Sequence, residues 1–435
     1  MYTLRKSVTS VVKHLYSRRS FLSNAYKCEE VWQERLNCSI LKKVEPEALY
    51  YKLSSLLEND VKQINAIDLD IFANALNDST YLDELDDLTH KFRLSAQSGT
   101  LLQSTHHAVI RLFLKFNKNE LIRILKDKLN YGIFPDDYLN NLLMDSFLKE
   151  NDFRNAAKIA SNQMLQEEFN NDIMKSMSLY SCLKYITNPT EWEEVKVTKN
   201  EEIQNSDDEE ETRIRVDFIR NPYFDDHFDL NEADHLIGKT LLALSKNNNS
   251  VMKNSIKTIG LAYYNKWNTL SDFLKKIEGP VYSETVELGL ASIDKRKPQN
   301  AEELSNLLKK LRLNNRSIID EAENAVKESV KQNEEKEIQL QKKIYKDWEV
   351  FRPEELNRQL EHINKIKRLQ KVQSIKEELR NKEQVLFFFD KESKYDLIKE
   401  EKMKRMKNNV TKTKNLREDL TYIPPEIRQP GFKRE

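Results

Sequence analysis

Glycine and cysteine are scarce: 7 glycines and 3 cysteines occur in 435 residues, with 10 prolines. So few glycines leave little material for hairpin turns or phosphate-cradling loops and argue against an all-β fold. No G-x-x-x-x-G-K-[ST], G-x-G-x-x-G, G-x-S-x-G or H-E-x-x-H occurs, which removes the usual nucleotide-binding, esterase and zinc-protease signatures. Cys28, Cys38 and Cys182 are widely spaced and form no C-x-x-C, so neither a disulfide framework nor a zinc ribbon is supported and reduced structural thiols are expected. No apolar run approaches the ~18 residues that span a bilayer. The run Asp225-Asp226-His227-Phe228-Asp229 offers metal-ligand chemistry, but adjacent residues point in different directions and no second ligand cluster accompanies it; a capping or ion-pairing loop is expected. No metal, cofactor or small-molecule substrate is called for.

What is present is charge and helical periodicity. Charged residues make up 33% of the chain against 39% hydrophobic, too polar a balance for one compact globule and suited to helical repeats with long solvated helices. Net charge is +0, but its distribution is uneven. The first 27 residues contain Arg5, Lys6, Lys13, Arg18, Arg19 and Lys27 and no acid before Glu29. On a helix Leu4, Val8, Val11, Val12 and Leu15 share a face. A basic, hydroxyl-rich, acid-free amphipathic segment reads as a mitochondrial presequence, over residues 1–22, and the Arg19-Ser20-Phe21 step resembles a matrix-protease cleavage context.

The apolar spacing predicts paired helices. Leu49, Leu53, Leu56 and Leu57 mark one helix; Leu69, Phe72 and Leu76, then Leu82, Leu85, Leu88 and Phe92, mark a hairpin around Asn77-Asp78-Ser79. A further hairpin spans His106 to Leu129 and stops at Gly132; another follows Pro135. Starts near Ile67, Leu102 and Pro135 recur at the period of a helical solenoid, roughly 33–35 residues. The expected organisation is repeats over 46–186, an acidic loop and aromatic linker over 187–230, degenerate helical hairpins over 231–315, a charged long-helix region over 320–418 and an extended tail over 419–435. In the long-helix region Leu356, Leu360, Ile363, Ile366, Leu369, Val372, Ile375 and Leu379 are expected to form one narrow seam, as in a coiled coil, and Phe387-Phe388-Phe389 a docking cluster. The fold class is thus all-α: a helical-hairpin solenoid with a long charged C-terminal helix.

Residues Tyr131 to Glu168 add a more specific signal. Gly132, Pro135 and Asp136 form a turn, a helix carries Leu139, Leu142, Leu143 and Phe147, and a second carries Ala156, Ala157, Ile159, Ala160 and Met164. This hairpin resembles a pentatricopeptide (PPR) repeat, a unit that binds single-stranded RNA. His90 to Ser95, Asn130 to Ala156, the Met164-Leu165-Gln166-Glu167 helix end and the charged C-terminal region, in that order, resemble the PPR-domain proteins of the animal mitochondrial small ribosomal subunit, the S27 family. Residues Arg213 to Leu230 are similar to its insect members. The resemblance implies a non-catalytic ribosomal subunit in the mitochondrial matrix, with small-subunit rRNA and other mitochondrial ribosomal proteins as partners. The alternative it leaves is a free PPR factor that stabilises or activates mitochondrial transcripts.

By the pattern of nucleotide-reading PPR arrays, Asn141 falls at the first specificity position and Asp136 at the end of the preceding repeat. Leu139 and Asn140 replace the usual hydroxyl and aromatic there, and the neighbouring hairpin has His106-His107-Ala108, so base-by-base reading is not expected. Phosphate contact through the basic C-terminal stretch is the better electrostatic candidate, with Lys402, Lys404, Arg405, Lys407, Lys412 and Lys414 as its residues and Glu400, Glu401 and Glu418 diluting it.

Overall fold

The computed structural model describes residues 21–57, 64–192, 230–245, 250–277, 279–385 and 388–409. Of the expected presequence over 1–22, residues 1–20 lie outside the described residues, whereas Phe21 and Leu22 are described and Leu22 is buried in the core; residues 193–229, including the Asp225–Asp229 run, and the tail also lie outside.

Five consecutive helices start at an Asx residue whose side chain caps them. The Asn117 side chain accepts the Glu120 N–H ahead of α6 (Lys118–Lys126), Asp127 that of Asn130 ahead of α7 (Lys128–Tyr131), and Asp136 that of Leu139 ahead of α8 (Asp137–Lys149). Asp152 and Asn171 do the same for α9 (Phe153–Gln166) and α10 (Asp172–Thr187). Gly132 ends α7 at φ +63°, a left-handed conformation that glycine adopts without strain, and its N–H bonds Lys128 O at 2.9 Å. Earlier come α1 (Glu29–Glu34), α2 (Pro46–Leu57), α3 (Ala66–Ala75), α4 (Leu82–Leu94) and α5 (Gln103–Phe116). Later come α11 (Ala233–Leu244), α12 (Ser250–Tyr263), α13 (Trp267–Lys276), α14 (Ser283–Arg296), α15 (Ala301–Lys309), α16 (Ile318–Val385) and α17 (Phe388–Asn409). One two-residue parallel pairing, β1 (Val281–Tyr282) with β2 (Leu313–Asn314), brackets α14 and α15.

Helix starts at Ala66, Gln103, Asp137 and Asp172 lie 37, 34 and 35 residues apart, near the expected period, and those at Ser250, Ser283 and Ile318 lie 33 and 35 apart. Between them the hairpin of α10 and α11 is interrupted by residues 188–232, which carry the acidic segment. The solenoid therefore continues through a long insertion. α11 and α12 pack at Gly238 and Gly260, where a Cβ on Gly238 would meet Tyr264 N at 2.5 Å and one on Gly260 would meet Gly238 O at 2.9 Å.

The chain divides into two compact units, residues 1–356 and 357–435. The division falls inside α16, well beyond the composition change near residue 320. In the first unit α16 runs back along the array against the order of the repeats. Ile318 N–H bonds Glu284 Oε2 at 3.1 Å; Glu337 meets Asn171; Tyr345 stands edge-on to His107; Arg352 reaches Asp70; and Leu356 packs on the cluster of Leu41, Ile67 and Ile71. From Ile318 to Leu356 this is a strut of about 58 Å. Ala322, Val326, Val330, Ile338 and Tyr345 of the strut are all buried in the main core. The partner surface that a charged helix needs is, for this half, the protein's own repeats.

In the second unit the expected seam is not one. Leu360, Ile363, Ile366, Leu369, Val372 and Ile375 advance in steps of three, each about 60° short of a turn, so five steps carry them about 300° round the helix. They cannot face one partner as heptad positions do. All are exposed, Leu360 at 57% and Leu369 at 58%. Of the Phe387-Phe388-Phe389 cluster, Phe388 and Phe389 lie in α17, and their side chains fall outside the described set.

Candidate functional site

Asn141 is fully buried. Its amide donates to the Tyr26 hydroxyl at 3.0 Å, with Glu337 Oε2 at 3.4 Å. The Tyr26 hydroxyl donates to Glu337 Oε2 at 2.6 Å, and the Asn171 amide to Glu337 Oε1 at 2.7 Å. The segment before α1 and the strut of α16 thus occupy the face on which a nucleobase would meet this residue. Burial, then the neighbouring Glu337, raises the Tyr26 phenol well above its ordinary range. The same face is acidic: burial, with Asp136, Glu168 and Glu337 beside it, pushes the Asp137 carboxyl up to about 6. A phosphate would be repelled there. Asn141 is buried against the protein's own Tyr26 and Glu337.

Asp136 lies at the edge of this face. It caps α8 through Leu139 N–H at 2.8 Å and holds His107 Nε2 at 2.8 Å. Burial opposes its charge, but His107 and the Leu139 N–H outweigh that and hold the carboxyl below its usual range. His107 in turn packs between Tyr138, Tyr345 and Trp348, with ring centroids 5.9, 5.7 and 4.9 Å away. Asn141 directly, and Asp136 through His107, therefore fasten the strut to the repeats.

A second fastening lies toward the N-terminal repeats. Asp70 is fully buried. Arg352 Nε donates to its Oδ2 at 2.7 Å, and Thr105 Oγ1 at 2.9 Å, the Asn74 amide at 2.9 Å and the Ser104 hydroxyl all serve Oδ1. The arginine is 1% exposed. A charge pair so deep is tolerable only because the carboxylate is saturated with donors. No sequence signal joined residues 282 positions apart.

Next to Asp136 opens a groove of about 940 Å³ whose walls carry Arg93, Lys126, Lys128, Lys158, Phe134 and Trp192. Lys158 lies 5.7 Å from the Trp192 ring, and burial pushes the Lys128 ammonium down. Trp192 and Leu230, which bracket the interrupting segment, both stand on its wall.

The basic residues singled out from sequence lie in the second unit. Lys402, Lys404 and Arg405 are exposed on α17, with Lys404 Nζ 4.0 Å from Glu400. Lys407 lies in the same helix; Lys412 and Lys414 fall outside the described residues. A stronger feature carries no motif. Residues 362–376 of α16 contain Lys365, Lys367, Arg368, Lys371 and Lys376 and no acid, and every residue of this stretch is exposed. Its signal in the sequence is the acid-free window rather than the density of Lys and Arg.

Among the described residues no group of three or more His, Cys, Asp or Glu converges to hold a metal ion, and no helix is long and apolar enough to cross a membrane. The fold defines an α-helical repeat protein whose conspicuous polar clusters tie its own elements together. The model of the family of mitochondrial 28S ribosomal protein S27 matches residues 1–378, and the chain belongs to that family. It is thereby a protein of the mitochondrial small ribosomal subunit, in the matrix, and the family implies a structural role among other ribosomal proteins and rRNA. The match passes through the strut and the acid-free basic window and ends near Leu379.

Proposed function

We propose that the protein is a non-catalytic scaffold that contacts rRNA phosphates through its exposed basic helix and neighbouring proteins through its repeats, supporting mitochondrial translation. The observation that carries this reading is the acid-free, fully exposed window 362–376. The five cations spread over about half of the helix circumference, a broad basic face that can neutralise several phosphates and release their counterions. Lys402, Lys404, Arg405, Lys407, Lys412 and Lys414 extend the basic character, weakened by Glu400 and Glu401. The alternative, a free transcript-binding PPR factor, would need an open repeat face, and around Asn141 that face is filled by the strut.

In a gradient of mitochondrial lysate at physiological salt, the protein should co-sediment with the small subunit. Replacing Lys365, Lys367, Arg368, Lys371 and Lys376 together by Gln should shift it toward the top and flatten the salt dependence of its RNA binding, by a slope of roughly 0.7–0.9 for each phosphate no longer neutralised. Asn141→Ala should leave incorporation intact. A wild-type protein that stays at the top of the gradient bound to mRNA overturns the reading.

A further inference from the structure

Asp145 of α8 holds the backbone at Phe21 and Leu22. The Phe21 N–H lies 2.9 Å from Asp145 Oδ1, and the Leu22 N–H lies 3.2 Å from the same oxygen. The Asp145 side chain, on α8, is only 3% exposed, and its other oxygen meets Lys149 Nζ at 2.7 Å. The residues that follow are held just as firmly. The Phe21 ring stands edge-on to Tyr180 at 5.1 Å, Leu22 is buried, and Ser23 N–H donates to Glu334 Oε1 at 2.7 Å. Immediately upstream the sequence reads Arg18-Arg19-Ser20, with an arginine two residues before Phe21. A protease-recognition context and a buried carboxylate thus converge on one nitrogen.

We propose that the Ser20–Phe21 peptide bond is the presequence cleavage site and that the α-ammonium created there is held by Asp145. The step is hydrolysis by a matrix processing peptidase. Water adds across the amide, Ser20 leaves with the new carboxylate, and the Phe21 nitrogen takes up a proton to become ammonium. Cleavage accompanies import, before folding, when the Phe21 nitrogen is not yet engaged; folding then seats the new terminus. A charged donor strengthens the bond to the carboxylate. A cut at Ser23 would discard both hydrogen bonds to Asp145 and the Leu22 anchor.

Asp145 and, through it, Lys149 of α8 are the charged groups at the Phe21 nitrogen; Glu334 of α16 meets Ser23 N–H, and Lys184 of α10 lies 5.4 Å from the Tyr180 ring. An unperturbed α-ammonium loses its proton at about 7.7–8.0, and the charge-dependent part of its bond to Asp145 is lost once the amine is neutral.

Mass spectrometry of the N-terminal peptide of the protein isolated from mitochondria should place Phe21 first. The chain starting at Phe21, prepared with a free or an acetylated α-amino group, should melt about 2 °C higher in the free form at neutral pH. The gap should vanish in Asp145→Asn, which retains an acceptor oxygen, and should close on raising the pH above the amine's folded-state value. Any other first residue, or equal melting of the free and acetylated forms, overturns the proposal.

Discussion

At the scale of single residues, this protein hides its charges where sequence reasoning expects a ligand. Asp70 and Arg352 show the physics most plainly: removing one partner strands the other without its counter-charge in the core. Arg352→Met should destabilise the first unit by about 3–5 kcal/mol, while a double replacement of both residues by apolar side chains of similar size should recover much of the loss. Chemical denaturation of the two single variants and the double variant measures this coupling. The cysteines carry a second prediction. Burial pushes the Cys182 thiol up to about 12 and also raises that of Cys28, whereas Cys38 is partly exposed. Native protein treated with iodoacetamide near neutral pH should alkylate at Cys38 first, and at Cys182 only on unfolding. His106 adds a pH dependence. Burial, with His107 beside it, pushes its imidazole down to about 4, against an opposing pull from Asp136. Its folded-state value lies below the unfolded one, so the unfolded chain binds the proton more readily and stability is lost as pH falls from about 6.5 toward 4. Histidine NMR titration should find His106 still neutral at pH 5.

At the scale of elements, the repeats were legible because their signals are local. Asp136, Asp152 and Asn171 sit one residue ahead of helix starts, and Gly132 sits at a stop, so the hairpins from α5 to α10 follow from capping chemistry and apolar spacing. The crossing of α11 and α12 was not legible in this way. Gly238 and Gly260 are ordinary helix-interior glycines until the two backbones meet. Gly238→Ala should force the helices apart and destabilise by about 1–3 kcal/mol, far outside the small gain that alanine brings to an isolated helix. A thermal melt settles the sign. The two halves of α16 differ equally sharply. Ile338 is buried under the segment before α1, and Leu369 is 58% exposed. Ile338→Ala should cost about 2–5 kcal/mol in unfolding experiments, whereas Leu369→Gln should stay within about 0.5 kcal/mol.

At the scale of the whole molecule, an array that could have offered its face to RNA has covered part of it with its own strut. The helix that begins as the next repeat at Ile318 keeps going and lies against its predecessors, as a ligand would. On the proposed reading, the exposed basic helix of the second unit is the surface that meets phosphate. If so, crosslinks from intact mitochondrial ribosomes should map to residues 362–376 far more often than to Asn141, and crosslinks concentrated around Asn141 would overturn the assignment.

The sequence by itself determined the helical class, the hairpin period, the family, and with it the small subunit of the mitochondrial ribosome. The helical class and the period reside in patterns within about 40 residues, where capping and apolar spacing act, and the family in a match over residues 1–378. Only the tertiary structure decided which charges are available. Asn141 and Asp136 were singled out by analogy with nucleotide-reading PPR arrays, yet their partners arrive from Tyr26, His107 and Glu337, up to 196 positions away. Whether a polar residue serves a ligand or its own fold depends on what the rest of the chain brings against it, and no local pattern encodes that.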